Sequence, residues 1–294
     1  MSETKHNFDI EFLRQLDRYN ISIKKRVSTV YAGNRPSTRI GKGIDTVGYR
    51  EYYPGDEMKD VDWKAYSRTE KLYVRQFEEE KTLTAHILLD ASKSMDFPNF
   101  GNGVKKYEYA AMLALGIAYT VSRKNDKFAI STFNDNIDIN APKRGVKYLL
   151  ELTDRLSARE LEGATDLDVC THKYEKLIKS RSLVVILSDF MEDAAHIESS
   201  VQRLSGNDLI LIQVLDPFEK NLPISGDSRF FDMETGDEMK TYLSDSFKKN
   251  YFAELEKHNA KIDKICKRTG AKFYSFSTDA PVFDSFLTLI ERGA

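Results

Sequence analysis

Cysteine is scarce. The 294-residue chain has two, Cys170 and Cys266, far apart and in no CxxC pattern, which speaks against a disulfide framework and a zinc ribbon. No apolar run approaches the ~20 residues that a membrane-spanning helix needs, and the polar start, Met1 to Asn7, has no signal-peptide core. A cytoplasmic protein is expected. A formal net charge of −2 gives no reason to expect nucleic-acid binding by the whole chain. A GxxxxGK(S/T) phosphate loop and an HExxH zinc motif are both missing. The five histidines, His6, His86, His172, His196 and His258, adjoin no plausible nucleophile in sequence, so no enzymatic activity is expected.

With 41% hydrophobic and 31% charged residues, the chain has the composition of a globular protein with a highly charged surface. From residue 83 onward, strand and helix patterns alternate. Strands are predicted over Thr82 to Asp90, Lys127 to Phe133, Ile137 to Ile139, Ser182 to Leu187, Asp208 to Leu215 and Lys272 to Phe276. Helices are predicted over Lys105 to Lys124, Val146 to Ser157, Leu167 to Lys179, Ala194 to Leu204, Asp245 to Arg268 and Pro281 to Glu291, with a hairpin-like turn at Thr235-Gly236-Asp237. Buried strands joined by helices make a parallel sheet, so the expected fold is α/β, doubly wound and mainly parallel, with about six strands.

Before that domain, 81–294, the first 80 residues read as an N-terminal extension rich in β-structure. Phe8 to Lys25 has the spacing of an amphipathic helix. Arg18 to Ile44 carries seven basic residues and no acidic one, broken by glycine and proline, and reads as a loop with a solvated basic face. Two strands are expected, Tyr49 to Tyr53 and Leu72 to Phe77, with Trp63 anchoring a small core between them. Arg50, Asp56, Asp60, Asp62 and Arg68 are expected to form a salt-bridged framework.

The candidate site begins where an apolar run, Leu83 to Leu89, ends in Asp90-x-Ser92-x-Ser94. Alternating hard oxygens on a loop suit a divalent cation such as Mg²⁺. Taken alone, the motif reads more readily as a helix cap. Two further oxygen-bearing loops change that balance. Gly163-Ala164-Thr165-Asp166 precedes a helix, and a second buried strand ends in Ser188-Asp189. In a parallel sheet all three loops emerge on one edge, where open α/β sheets bind ligands.

Together, Asp90, Ser92, Ser94, Thr165 and Asp189 resemble the metal-ion-dependent adhesion site (MIDAS) of a von Willebrand factor A domain. The preceding segment is similar to the signature of a bacterial family, domain of unknown function 58. It runs Gly43-x-Asp45, Tyr49-Arg50-Glu51-Tyr52-x-Pro54-Gly55-Asp56, Asp62-Trp63, Arg68 and Leu72-Tyr73-Val74-Arg75, and the resemblance continues from about residue 10 to the end. It implies an adaptor or chaperone-like partner of a MoxR-type AAA+ ATPase and of other A-domain proteins. Ser92, Ser94 and Thr165 would lie nearest a Mg²⁺ ion (Mn²⁺ or Ca²⁺ as alternatives), with Asp90 and Asp189 coordinating directly or through water. An open coordination position would take a partner's carboxylate. Many relatives carry two transmembrane helices ahead of the signature and this sequence does not, so membrane attachment is expected only through partners. The rival readings are a metal-dependent hydrolase, in which the ion activates water, and nucleic-acid or anion binding through Arg18 to Lys42.

Overall fold

The structure, a computed structural model, describes residues 6, 8, 40–78, 83–97, 104–233 and 236–292. The helix expected from Phe8 to Lys25 lies, apart from Phe8, outside them, as does the basic stretch up to residue 39. The chain forms two compact units, one within Asn34–Thr82 and a larger one that holds everything described from Leu83 onward.

In the smaller unit, β1 (Ile40–Glu51) pairs antiparallel with β2 (Tyr73–Glu78), and α1 (Trp63–Thr69) lies between them in sequence. The strand therefore starts well before Tyr49, inside the stretch expected to be a loop. Its register shifts between Gly41 and Thr46 and again before Gly48. Bulges of this kind let a glycine-broken segment stay paired. Trp63 does not anchor a core. It is the first residue of a helix that buries none of its residues, and it is 55% exposed, edge-on to Tyr66. The buried pair here is Val61 and Val74, joined by a backbone bridge. Nor do the described residues show a five-membered salt-bridged framework. Arg50 grips Asp56 with two hydrogen bonds of 2.7 and 2.6 Å, whereas Asp62 caps α1 by accepting from Lys64 N and Ala65 N.

The larger unit runs β3 (Thr84–Asp90), α2 (Lys106–Arg123), β4 (Lys127–Phe133), β5 (Ile137–Asp138), α3 (Val146–Ser157), α4 (Leu167–Tyr174), β6 (Leu183–Ser188), α5 (Ala194–Leu204) and β7 (Asp208–Leu215). It continues with α6 (Pro217–Asn221), the hairpin β8 (Gly226–Phe231) and β9 (Glu238–Leu243), α7 (Asp245–Thr269), β10 (Lys272–Ser277) and α8 (Val282–Arg292). The helix expected to reach Lys179 ends at Tyr174 and gives way to a 3-10 turn, Glu175–Leu177; α6 was not foreseen.

Six strands form one sheet in the order β10-β7-β6-β3-β4-β5, parallel except for β5, which runs antiparallel to β4. The architecture is thus α/β with a mixed, largely parallel sheet. Period-two alternation divides each central strand between two apolar cores. Ala85, Ile87 and Leu89 of β3 join Leu183, Val185 and Leu187 of β6 under α2, α3 and α8. Leu88, Val184 and Ile186 face the opposite core with residues of α4, α5 and α7. Each such leucine or valine, removed wholly from water, contributes about 1.5–3 kcal/mol. Burial on both faces fixes the register of β3 and β6, and that register delivers Asp90 and Asp189 to one edge. His86, inside β3, is a satisfied core residue, with Nδ1 3.0 Å from Tyr174 Oη. Both cysteines are free and buried.

Candidate functional site

Asp90 closes β3 with no exposed surface, and its two oxygens have distinct roles. Oδ1 accepts from Ser92 N at 2.9 Å, folding the loop back on the strand end. Oδ2 accepts from Ser188 Oγ at 2.6 Å and from Thr165 Oγ1 at 3.2 Å. Ser92 Oγ is 3.1 Å from Ser94 Oγ, which donates to Asp189 Oδ2 at 2.9 Å. The five residues picked from the sequence therefore share one network of hydrogen bonds around two buried carboxyl groups.

Capping does not account for the hydroxyls. Ser92 precedes the 3-10 turn Lys93–Asp96 but makes no side-chain cap bond. The cap of α4 is Asp166, which accepts from Val169 N at 2.9 Å, and not Thr165. Neighbouring loops lock this arrangement. Lys93 N donates to Gly163 O, and Asn134 Nδ2 to Glu162 O. Gly163 has φ +75, and a Cβ there would lie 3.2 Å from Asn134 Nδ2, so the close approach calls for glycine. Beyond Asp189, Phe190 is a buried residue at φ +52, held by Phe190 N donating to Ser188 Oγ and by His258 Nε2 at 2.7 Å from Phe190 O.

Four further participants were not singled out in the sequence. Ser188 supplies the shortest hydrogen bond to Asp90. Lys106, 1% exposed, donates to Asp189 Oδ2 and to Glu219 Oε1, both at 2.8 Å. Glu219 stands on α6, and Glu192 follows Asp189 on its loop. Lys106 sits in the first turn of α2, where the helix dipole disfavours a cation, and that misplacement is the one clue available beforehand.

The two aspartates differ electrostatically. Burial, and then the charge of Asp189, push Asp90 up to about 7 against the hydrogen bonds from Ser188 and Ser92. Burial works on Asp189 in the same direction, but the Lys106 ammonium outweighs it and holds the carboxyl below its ordinary value. Glu192 is raised to about 8 by burial and by the charges of Asp90, Asp166 and Asp189. Among the described residues no three His, Cys, Asp or Glu side chains gather closely enough to hold a metal by themselves.

The family described as "Protein of unknown function DUF58" matches residues 48–261. Uncharacterised proteins of Mycobacterium tuberculosis and Mycobacterium bovis are 23% identical over 276 residues, spanning 92% of this chain and 86% of theirs. Among solved structures, the conserved hypothetical protein BatB from Bacteroides thetaiotaomicron is similar, with a TM-score of 0.45 and 11% identity over 72% of this chain and 98% of that one. An aerotolerance-related membrane protein from Bacteroides fragilis gives 0.44 and 14%, over 71% and 99%.

Proposed function

This chain belongs to the DUF58 family, and from that premise we propose that it is a non-enzymatic, metal-dependent protein-interaction module. It binds a partner's carboxylate through a Mg²⁺ site of the von Willebrand factor A type, built in residues 81–294 and preceded by a β-rich extension over residues 1–80. One observation carries the reading. Ser92, Ser94 and Thr165 turn their hydroxyls onto each other and onto the buried Asp90 and Asp189 instead of capping helices.

The donor set fits the ion in kind. All five side chains offer hard oxygens, and Mg²⁺ prefers one or two carboxylates with the remaining positions taken by neutral oxygens and water. With no third carboxylate or imidazole among the described residues close enough to share the ion directly, the hydroxyls of Ser92, Ser94 and Thr165 would be its near ligands. Asp90 and Asp189 would act directly or through water. Bound there, the ion supplies an electrophilic position for a partner's Asp or Glu. The rim suits a protein partner. Met191 and Val169, on the segments following Asp189 and Thr165, are 45% and 40% exposed.

By the family resemblance, that partner is a MoxR-type AAA+ ATPase. No helix among the described residues is long and apolar enough to cross a membrane. Action in the cytoplasm, or at a membrane through partners, is part of the proposal. The test is calorimetric titration of Mg²⁺ and Mn²⁺ into chelator-treated protein beside Asp90→Ala. Saturable binding that the variant loses supports the reading, and a wild-type protein that binds neither ion overturns it.

A further inference from the structure

Glu192 lies three residues beyond Asp189, with a side chain only 9% exposed. Its Oε2 accepts from Leu167 N at 3.4 Å and lies 3.7 Å from His196 Nδ1. Leu167 is two residues past Thr165, so this one side chain ties together the loops that carry Thr165 and Asp189. Its other oxygen is different. Oε1 is buried and, among the described residues, accepts no hydrogen bond. Buried carboxyl oxygens almost always have a donor, and one without calls for a partner not yet in place.

The surroundings indicate what kind. Burial, and after it the repulsive charges of Asp90, Asp166 and Asp189, holds the Glu192 carboxyl well above the ordinary range. Lys106, the buried cation nearby, gives its hydrogen bonds to Asp189 and Glu219. Asp90 receives its hydrogens from hydroxyls and an amide. Among the described residues, Glu192 and Asp90 are thus buried carboxyls without an ammonium to balance them, on either side of the hydroxyl cluster in sequence. A cation would answer both. Because no three carboxylates among the described residues gather within direct ligand reach, Glu192 fits a place one step out, against the waters that Mg²⁺ keeps.

We propose that Glu192 belongs to the cation site, its free Oε1 accepting a hydrogen bond from a water held on the ion and so positioning that water. The inference rests on the metal-dependent reading above. It makes Glu192 a positioning residue that strengthens ion binding while holding no direct ligand position.

The experiment uses the full chain, stripped with chelator and titrated with Mn²⁺, free ion being followed by electron paramagnetic resonance. Wild type is compared with Asp90→Ala, Glu192→Gln, Glu192→Asp and His196→Ala. The glutamine keeps an acceptor for Leu167 N and removes the charge, the aspartate keeps the charge but withdraws it by one methylene, and His196→Ala removes only the imidazole. Glu192→Gln is expected to weaken Mn²⁺ binding by about 10-fold or more, the scale seen when a partner of a metal ligand is lost. Glu192→Asp should also weaken it, and His196→Ala should leave it unchanged. Melting in excess chelator reports folding separately. Mn²⁺ binding that Asp90→Ala abolishes and both Glu192 variants retain at wild-type strength overturns this inference alone. A wild type that binds no Mn²⁺ overturns the metal-dependent reading and this inference with it.

Discussion

Lys106 Nζ lies 2.8 Å from Asp189 Oδ2, and the two side chains are 1% and 4% exposed. The same carboxylate oxygen accepts from Ser94, and the same ammonium reaches Glu219. Asp189 therefore has a tethered positive charge beside it, and Asp90, among the described residues, does not. On the metal-dependent reading proposed above, this inequality would make Asp90 the carboxyl with most to gain from a cation and Asp189 the one already ordered.

Removing that charge should be severe. Lys106→Met leaves Asp189 and Glu219 buried without their counter-ion, and breaking a buried pair from one side costs about 3–5 kcal/mol. Urea unfolding in chelator should show a midpoint lowered accordingly. Mg²⁺ should raise the variant's midpoint more than the wild type's, since the ion then balances charge that Lys106 no longer balances. A midpoint equal to wild type would mean that water has replaced the ammonium and that the pair contributes little.

The raised carboxyls set a pH dependence with a definite sign. Asp90 and Glu192 stand at about 7 and about 8, chiefly because of burial, whereas in an unfolded chain both titrate near ~4. Acids raised in the fold contribute stability that is fully present below the unfolded value and lost as pH climbs to the folded one. His86 works in the opposite sense, since burial lowers it to about 4, and its contribution is lost as pH falls below ~6.5. From about pH 6.5 to about 8.5 the carboxyls act without that opposition. Chelated protein should lose stability across this window, and saturating Mg²⁺ should flatten the slope by taking the place of the protons. Stability that rises with pH over the same window would contradict the assignment.

In the smaller unit, Arg50 holds Asp56 in a two-bond grip, and Tyr53 N donates to the same carboxylate at 2.9 Å. The hydrogen bonds from Arg50, and then the one from Tyr53 N, lower Asp56 to about 2. Arg50→Gln should let it climb toward the ordinary carboxylate range, as read by carbon-13 titration of the side chain. If Asp56 stays at about 2 in the variant, the turn amide alone sets its acidity.

Much of this was legible in the sequence, for identifiable reasons. β3 and β6 are apolar on both faces, and that pattern specifies a buried parallel strand before any neighbour is known. Once two such strands end in aspartate, the edge of the sheet brings Asp90 and Asp189 together. Helices α3 and α5 begin and end at the expected residues because amphipathic spacing is local. Lys106 and Glu219 were illegible because their pairing spans more than a hundred residues, and a lysine at a helix start reads as solvated. Trp63 misled because large aromatic residues are usually buried, whereas the cap at Asp62 decides where this one sits. The glycines before Tyr49 read as loop because strand pairing, which overrides them, is a property of the partner strand.

Asp90→Asn separates a binding site from a merely structural one. As a structural element, Asp90 would be tuned for the fold, and losing its charge would weaken the loop. As an ion site, it keeps a buried carboxyl that the fold alone disfavours, since burial and Asp189 both oppose its ionisation. Asparagine preserves the shape and can still accept from Ser92 N, while Ser188 and Thr165 can rotate their hydroxyls to meet the amide. At pH 8 in chelator the variant should therefore be at least as stable as wild type, in the manner of sites that trade stability for function. It should also lose the stabilisation that Mg²⁺ gives the wild type, a shift set by the ratio of ion concentration to dissociation constant. Paired melting curves with chelator and with Mg²⁺ read both effects. A variant that is weakened in chelator yet still gains from Mg²⁺ would place the ion elsewhere and leave Asp90 as part of the scaffold.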